Sequence, residues 1–198
     1  PSSKITSDLF GRIRGGLMRL TSKYLAGLGV LVLAFVSASY GQAMNSNVAN
    51  VNLNAVLAET LTVSASPANV NFTLAPNGPA AGSSAVSITT QWALASTRTS
   101  VSLFAYFSTT AALTNGAGNN IPNTSVSGNP NGAGLQAFTT KNPFNGLNTG
   151  VQIFTTGITA ANVNSTHSDS LALQIDTTGL NLPAGTYTGL LNIEAQAI

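Results

Sequence analysis

From Asn50 onward, apolar side chains recur at every second position, not at every third or fourth. That period belongs to a strand with one buried face, because successive side chains leave an extended backbone on opposite sides. Val51, Leu53, Ala55 and Leu57 are set off by Asn50, Asn52 and Asn54. Leu61 to Ala65 keeps strand character up to Pro67, and Val70 to Leu74 alternates until Pro76-Asn77-Gly78-Pro79 stops it. Ala85 to Trp92 follows, then Thr99 to Phe107 with Val101, Leu103, Ala105 and Phe107 on one face. Val151 to Phe154, Leu171 to Ile175 and the closing run Gly185 to Ile198 complete the set. No stretch of this part of the chain sustains a helical period with caps. The pattern predicts an all-β fold: one antiparallel, Ig-like β-sandwich of about eight strands, with a barrel as the lesser alternative.

The first 43 residues follow another logic. Lys4, Arg12, Arg14, Arg19 and Lys23 precede the apolar run Tyr24–Val36, and small residues follow as Ser37-Ala38-Ser39-Tyr40-Gly41-Gln42-Ala43. A basic region, an apolar region and a small-x-small site describe a cleavable secretory signal helix. The apolar run is shorter than the roughly 20 residues a spanning helix needs, so stable membrane insertion after cleavage is not expected. Cleavage is expected after Ala43 or, by the second acceptable site, after Ala38. The domain plan is therefore a signal peptide over 1–43, an N-terminal strand segment over 44–60 and a sandwich domain over 61–198.

Removing the signal changes the charge. The whole chain has 7 Lys+Arg against 5 Asp+Glu, and only 6% of its residues are charged. Past residue 43 the cations are Arg98 and Lys141, against Glu59, Asp169, Asp176 and Glu194. Two cations build no basic face, so nucleic acid is not an expected partner. With no Cys there is no disulfide framework, thiolate metal site or cysteine nucleophile. So few charges also leave edge strands poorly defended against pairing with a second chain.

Within the domain, residues 113–150 hold seven Gly and nine Asn. That composition reads as a polar insertion outside the core, either a surface loop or a binding loop, with one short strand near Leu135 to Phe138. Candidate chemistry is sparse. His167 is the only histidine and sits in Ser165-Thr166-His167-Ser168-Asp169-Ser170, which reads as a polar turn before Leu171 because neighbouring strand residues point apart. No catalytic residue, metal site or cofactor site is assigned, and an enzyme is not expected. Trp92 is either a core aromatic between the sheets or, if exposed, a stacking platform for a sugar. Tyr106 shares with Phe104 the face opposite Leu103, so that strand is apolar on both sides. It is expected to be central or covered, with Tyr106 as a second candidate ligand contact. Arg98, between Thr97 and Thr99, reads as part of a solvated turn.

The C-terminal run Leu182-Pro183-Ala184-Gly185-Thr186-Tyr187-Thr188-Gly189 has a physical logic of its own. Pro and Gly turn the chain, and the Tyr187 hydroxyl is placed to cap a turn carbonyl, as in a tyrosine corner. Alternating Leu191, Ile193, Ala195 and Ala197 follow. Here the sequence resembles the spore coat protein U-like family, which includes the archaic chaperone–usher pilins. The resemblance implies a secreted sandwich whose exported N-terminal strand completes a neighbour's sheet, and Asn47 to Leu57 corresponds to that segment. Val51, Leu53, Ala55 and Leu57 are its candidate strand-exchange residues, with pairing in cis or in trans left open.

Two functions follow as expectations. The first is an exported, non-catalytic structural subunit of a cell-surface filament, pilus or coat, whose partners are copies of itself or related subunits. The second is a secreted carbohydrate- or surface-binding module, in which the Gly/Asn insertion and Trp92 or Tyr106 contact a glycan.

Overall fold

The computed structural model describes residues 44–198, and the expected signal helix lies outside the described residues. The chain divides into two units between Leu53 and Asn54. Of the first unit, residues 44–53 are described, and they run exposed with no strand pairing. The second unit is all-β. Its strands are β1 (Thr60–Ser66), β2 (Pro79–Ala81), β3 (Val86–Ala93), β4 (Ser100–Tyr106), β5 (Ala111–Thr114) and β6 (Asn120–Pro122). They continue with β7 (Val126–Pro130), β8 (Gln136–Ala137), β9 (Thr140–Lys141), β10 (Asn148–Gly157), β11 (Asn164–Asp176) and β12 (Asn192–Ala197).

All pairings are antiparallel. One sheet runs β1-β3-β11-β7-β8, with β2 pairing the C-terminal part of β11. The second runs β12-β4-β10-β9, and β5 with β6 makes a small third ladder. The fold is an antiparallel β-sandwich, as expected from the alternation. β3 turns Val86, Ile88, Thr90 and Trp92 inward and keeps Ser87 and Gln91 outside. β4 turns Val101, Leu103 and Ala105 inward. Between the sheets Ile88, Leu171 and Ile175 meet Leu103, Ala105 and Val151, all at most 1% exposed. Each such side chain contributes about 1.5–3 kcal/mol by leaving water. A register shift between Gln152 and Phe154 in β10 marks a bulge that brings both Ile153 and Phe154 to the inner side.

Four expectations need correction. Among the described residues there are twelve strands where about eight were expected, because short ladders of two to four residues form inside the region read as loop. The insertion 113–150 is not excluded from the core: Ile121, Val126 and Phe138 are buried there. Asparagine makes this feasible by supplying hydrogen bonds that the irregular backbone lacks. Buried Asn123 donates through Nδ2 to the carbonyls of Phe138 and Asn148. Buried Asn142 donates to Asn145 Oδ1 (2.7 Å) and Leu147 O (3.2 Å), while its Oδ1 accepts from the N–H groups of Phe144 and Asn145. Gly128 serves close packing, since a Cβ there would stand 2.9 Å from Leu171 Cδ1.

The third correction is Ser165–Ser170, which is strand and not turn: β11 begins at Asn164 and pairs with β3 along this stretch. Its inward positions are Ser165, His167 and Asp169, and polar residues on the buried side hide the alternation. The fourth is the strand expected over Asn50–Leu57 and over Val70–Leu74. The first stretch carries no strand, and the second makes only an isolated bridge between Phe72 and Gly82.

Candidate functional site

The site begins with two segments that do not become strands. After β1, the chain from Pro67 to Gly78 is broken by Pro67, Pro76 and Gly78, and is held beside the first sheet by the Phe72–Gly82 bridge, by the Ser83 N–H donating to Asn71 O and by the Thr177 hydroxyl donating to Ala75 O. Before β12, the chain from Leu180 to Leu191 is broken by Pro183, Gly185 and Gly189. It is pinned by Thr188 and Thr114, which exchange N–H···O bonds of 2.9 Å. Gly189 is required there, because any side chain would run into the Ala112 carbonyl. Tyr187 holds the turn as anticipated, its hydroxyl donating to Pro183 O at 3.0 Å.

These two segments leave a cleft of about 720 Å³ between them. Its floor is the core itself, formed by Val86, Val126 and Ile175 of the first sheet with Phe107. Val70, Phe72 and Leu74 form one wall, and Tyr187, Leu191 and Ile193 the other. A water molecule occupies about 30 Å³, so the cleft has room for several side chains. Interiors are packed without voids of that size, so the trough is a gap open to the surface, with an apolar floor and with Asn69, Asn71, Thr186 and Thr188 along its sides. No carboxylate, cation or histidine lines it.

The candidate strand-exchange residues have the complementary property. Val51, Leu53 and Leu57 are 79%, 90% and 88% exposed, and Ala55 is exposed as well. Val48 and Val56, which the alternation did not single out, are equally open. The stripe ends at Glu59, whose carboxylate accepts from the Ala95 N–H at 2.7 Å and from Arg98 Nη2 at 2.9 Å. Arg98 is therefore not simply a solvated turn residue: with Glu59 it ties the root of the N-terminal segment to the β3–β4 turn. The paired guanidinium, first, and the Ala95 N–H hold the Glu59 carboxyl down at about 2.

The residues considered for ligand contact do not come together. Trp92 is 4% exposed on the inner face of β3, with its Nε1–H donating to Asn162 O at 2.8 Å. It stacks on Phe154, so the exposed-platform expectation for Trp92 does not hold. Tyr106 lies on the outer face of β4, half-buried, with Phe144 stacked on it at 5.4 Å and its hydroxyl on Glu194 at 2.8 Å. Burial, then the Glu194 carboxylate, raises its hydroxyl above the ordinary value. The expected central position of this strand is correct, since β4 lies between β12 and β10.

His167 faces inward, stacks on Phe154 at 4.3 Å and meets Asp169 Oδ2 through Nδ1 at 2.9 Å. The other Asp169 oxygen accepts from Asn131 Nδ2. Ser168 is on the opposite face, and Ser165, on the same face as His167, makes no hydrogen bond with it, so the local Ser, His and Asp do not form a bonded relay. Among the described residues no three His, Asp or Glu side chains gather as metal ligands.

The chain matches no protein-family model, no curated protein and no solved structure. The cleft and the stripe are the features of the chain that bear on function. Sequence reasoning found the stripe and the breakers on both sides of the cleft. It missed the cleft, because nothing local tells that two Pro/Gly-interrupted segments over a hundred residues apart converge.

Proposed function

We propose that the protein is an exported structural subunit that assembles by seating the N-terminal apolar stripe of one copy in the cleft of the next. The observation that carries this reading is an open, uncharged cleft with an apolar floor together with an exposed apolar stripe in the same chain. An uncharged cleft of about 720 Å³ suits an uncharged alternating segment, and Val51, Leu53, Ala55 and Leu57 bring no charge into it. Burying Val51, Leu53 and Leu57 contributes on the order of 5–8 kcal/mol before the cost of ordering the segment. Main-chain hydrogen bonds to the cleft walls add affinity in the manner of strand addition, and the fit of alternate side chains into the cleft adds specificity.

The contact is heterologous, because stripe and cleft are different surfaces, so repetition without rotational closure yields an open chain of subunits. Such a subunit needs no catalytic group. The resemblance of the C-terminal turn and strand to secreted coat and pilin domains supports the same reading, as does the signal-like segment over 1–43. The test is assembly state: sedimentation of the purified protein should give a ladder of oligomers. The double substitution Val51→Asp with Leu53→Asp should abolish the ladder without shifting the melting temperature. A ladder that survives the double substitution removes the stripe from the mechanism.

A further inference from the structure

The two edges of β11, a strand of 13 residues, are used unequally. On one side it pairs with β3 over Asn164–Leu171 and with β2 over Gln174–Asp176. On the other, β7 pairs only with Leu171–Ile175. Asn131 prolongs that ladder by one residue: its N–H donates to Ser170 O, and its Oδ1 accepts from the Ser170 N–H, both at 2.8 Å. Main-chain groups alternate between the two edges with a period of two. Thr166 and Ser168 therefore present their N–H and C=O to the same edge as Ser170, and no strand among the described residues takes them. The opposite sheet is open on this side too. β9 pairs with β10 only at Asn148 and Gly150, while β10 runs on to Gly157.

Exposed edges are normally blunted by Lys, Pro or a bulge. The stretch Asn164–Ser168 has none of these, and its outward side chains are the uncharged Asn164, Thr166 and Ser168. We propose that this edge is a lateral interface, in which β11 pairs antiparallel with β11 of a second copy about a two-fold axis centred on Thr166. The edge is self-complementary. That register sets Thr166 against Thr166 of the partner subunit and Asn164, which faces the same edge, against Ser168 of the partner subunit, so each free N–H meets a free C=O. Asn131 already holds Ser170, so the shared ladder ends where the intramolecular one begins. The contact is isologous and closes on itself, unlike the stripe-and-cleft contact, and it would join subunit chains side by side.

The experiment uses the full chain carrying Val51→Asp and Leu53→Asp, so that end-to-end assembly plays no part and the two readings fail separately. Its weight-average mass in sedimentation equilibrium should rise towards twice the chain mass with concentration. Adding Thr166→Pro, which removes one edge N–H, should return it to the monomer mass. Hydrogen exchange on the chain with an unaltered edge gives a readout that does not depend on the proline variant folding. The Thr166 and Ser168 amides should slow at least tenfold between dilute and concentrated samples. A chain that stays monomeric at every concentration overturns the proposal. So does a dimer in which those two amides exchange freely.

Discussion

Asn142 shows how a single polar side chain replaces regular pairing. Fully buried, it joins the main chain of Phe144, Asn145 and Leu147 into one turn, and that turn sets Phe144 against Tyr106. Asn142→Ala should cost about 1–3 kcal/mol in urea unfolding, because the turn's buried groups lose their partner. Tyr187→Phe removes one hydroxyl bond at an accessible turn and should cost at most about 1 kcal/mol. The Glu59–Arg98 pair makes a pH prediction. Arg98 stabilises the ionised carboxylate, which places the folded Glu59 at about 2, below its ordinary value of 4.5. Its contribution is complete above that ordinary value and is lost as pH falls towards 2. Melting temperatures of the native protein and Glu59→Gln should therefore differ near neutral pH and converge only as pH falls to about 2. The pair is exposed, so the difference should be small.

The elements differ in how plainly the sequence announces them. β3 and β4 were legible because each packs one apolar face against the core and alternates cleanly, as in Val86, Ile88, Trp92 and Val101, Leu103, Ala105. β11 was half legible: Leu171 and Ile175 announce it, but inward Ser165, His167 and Asp169 disguise its first half as a turn. The ladders within 113–150 were nearly invisible, since Asn and Gly satisfy the backbone there and only Ile121, Val126 and Phe138 reach the core. The stripe Val51–Leu57 was legible as alternation but not as a strand, because strand structure needs a partner. At the cleft, Gly189→Val should force the Thr188 segment away from the Ala112 carbonyl. The expected outcome is weaker assembly with a lowered melting temperature, read by sedimentation and calorimetry. Leu53→Asp should weaken assembly alone. That contrast separates a cleft wall, which belongs to the fold, from a stripe, which does not.

At the scale of the whole molecule, the scarcity of charge unites the account. Past residue 43 the chain has six formal charges, and none lines the cleft or the stripe. Little repels a second copy, so contact with its own kind is the chemistry the surface favours. The proposed export is tested at this scale as well: N-terminal sequencing of protein recovered outside the cell should begin at Met44 or Ser39, and a start anywhere before residue 39 would contradict it. The central claim is that the stripe of one copy occupies the cleft of another, and complementation tests it most directly. One variant carries Val51→Asp and Leu53→Asp and keeps its cleft, while a second carries Val70→Asp in the cleft wall and keeps its stripe. Both also carry Thr166→Pro, so the lateral edge contributes nothing. Each alone should remain a monomer, and a mixture in equal amounts should yield a species of twice the chain mass containing one copy of each. A mixture that stays monomeric while the protein with native stripe and cleft assembles, or a cleft variant that assembles alone, would contradict the account.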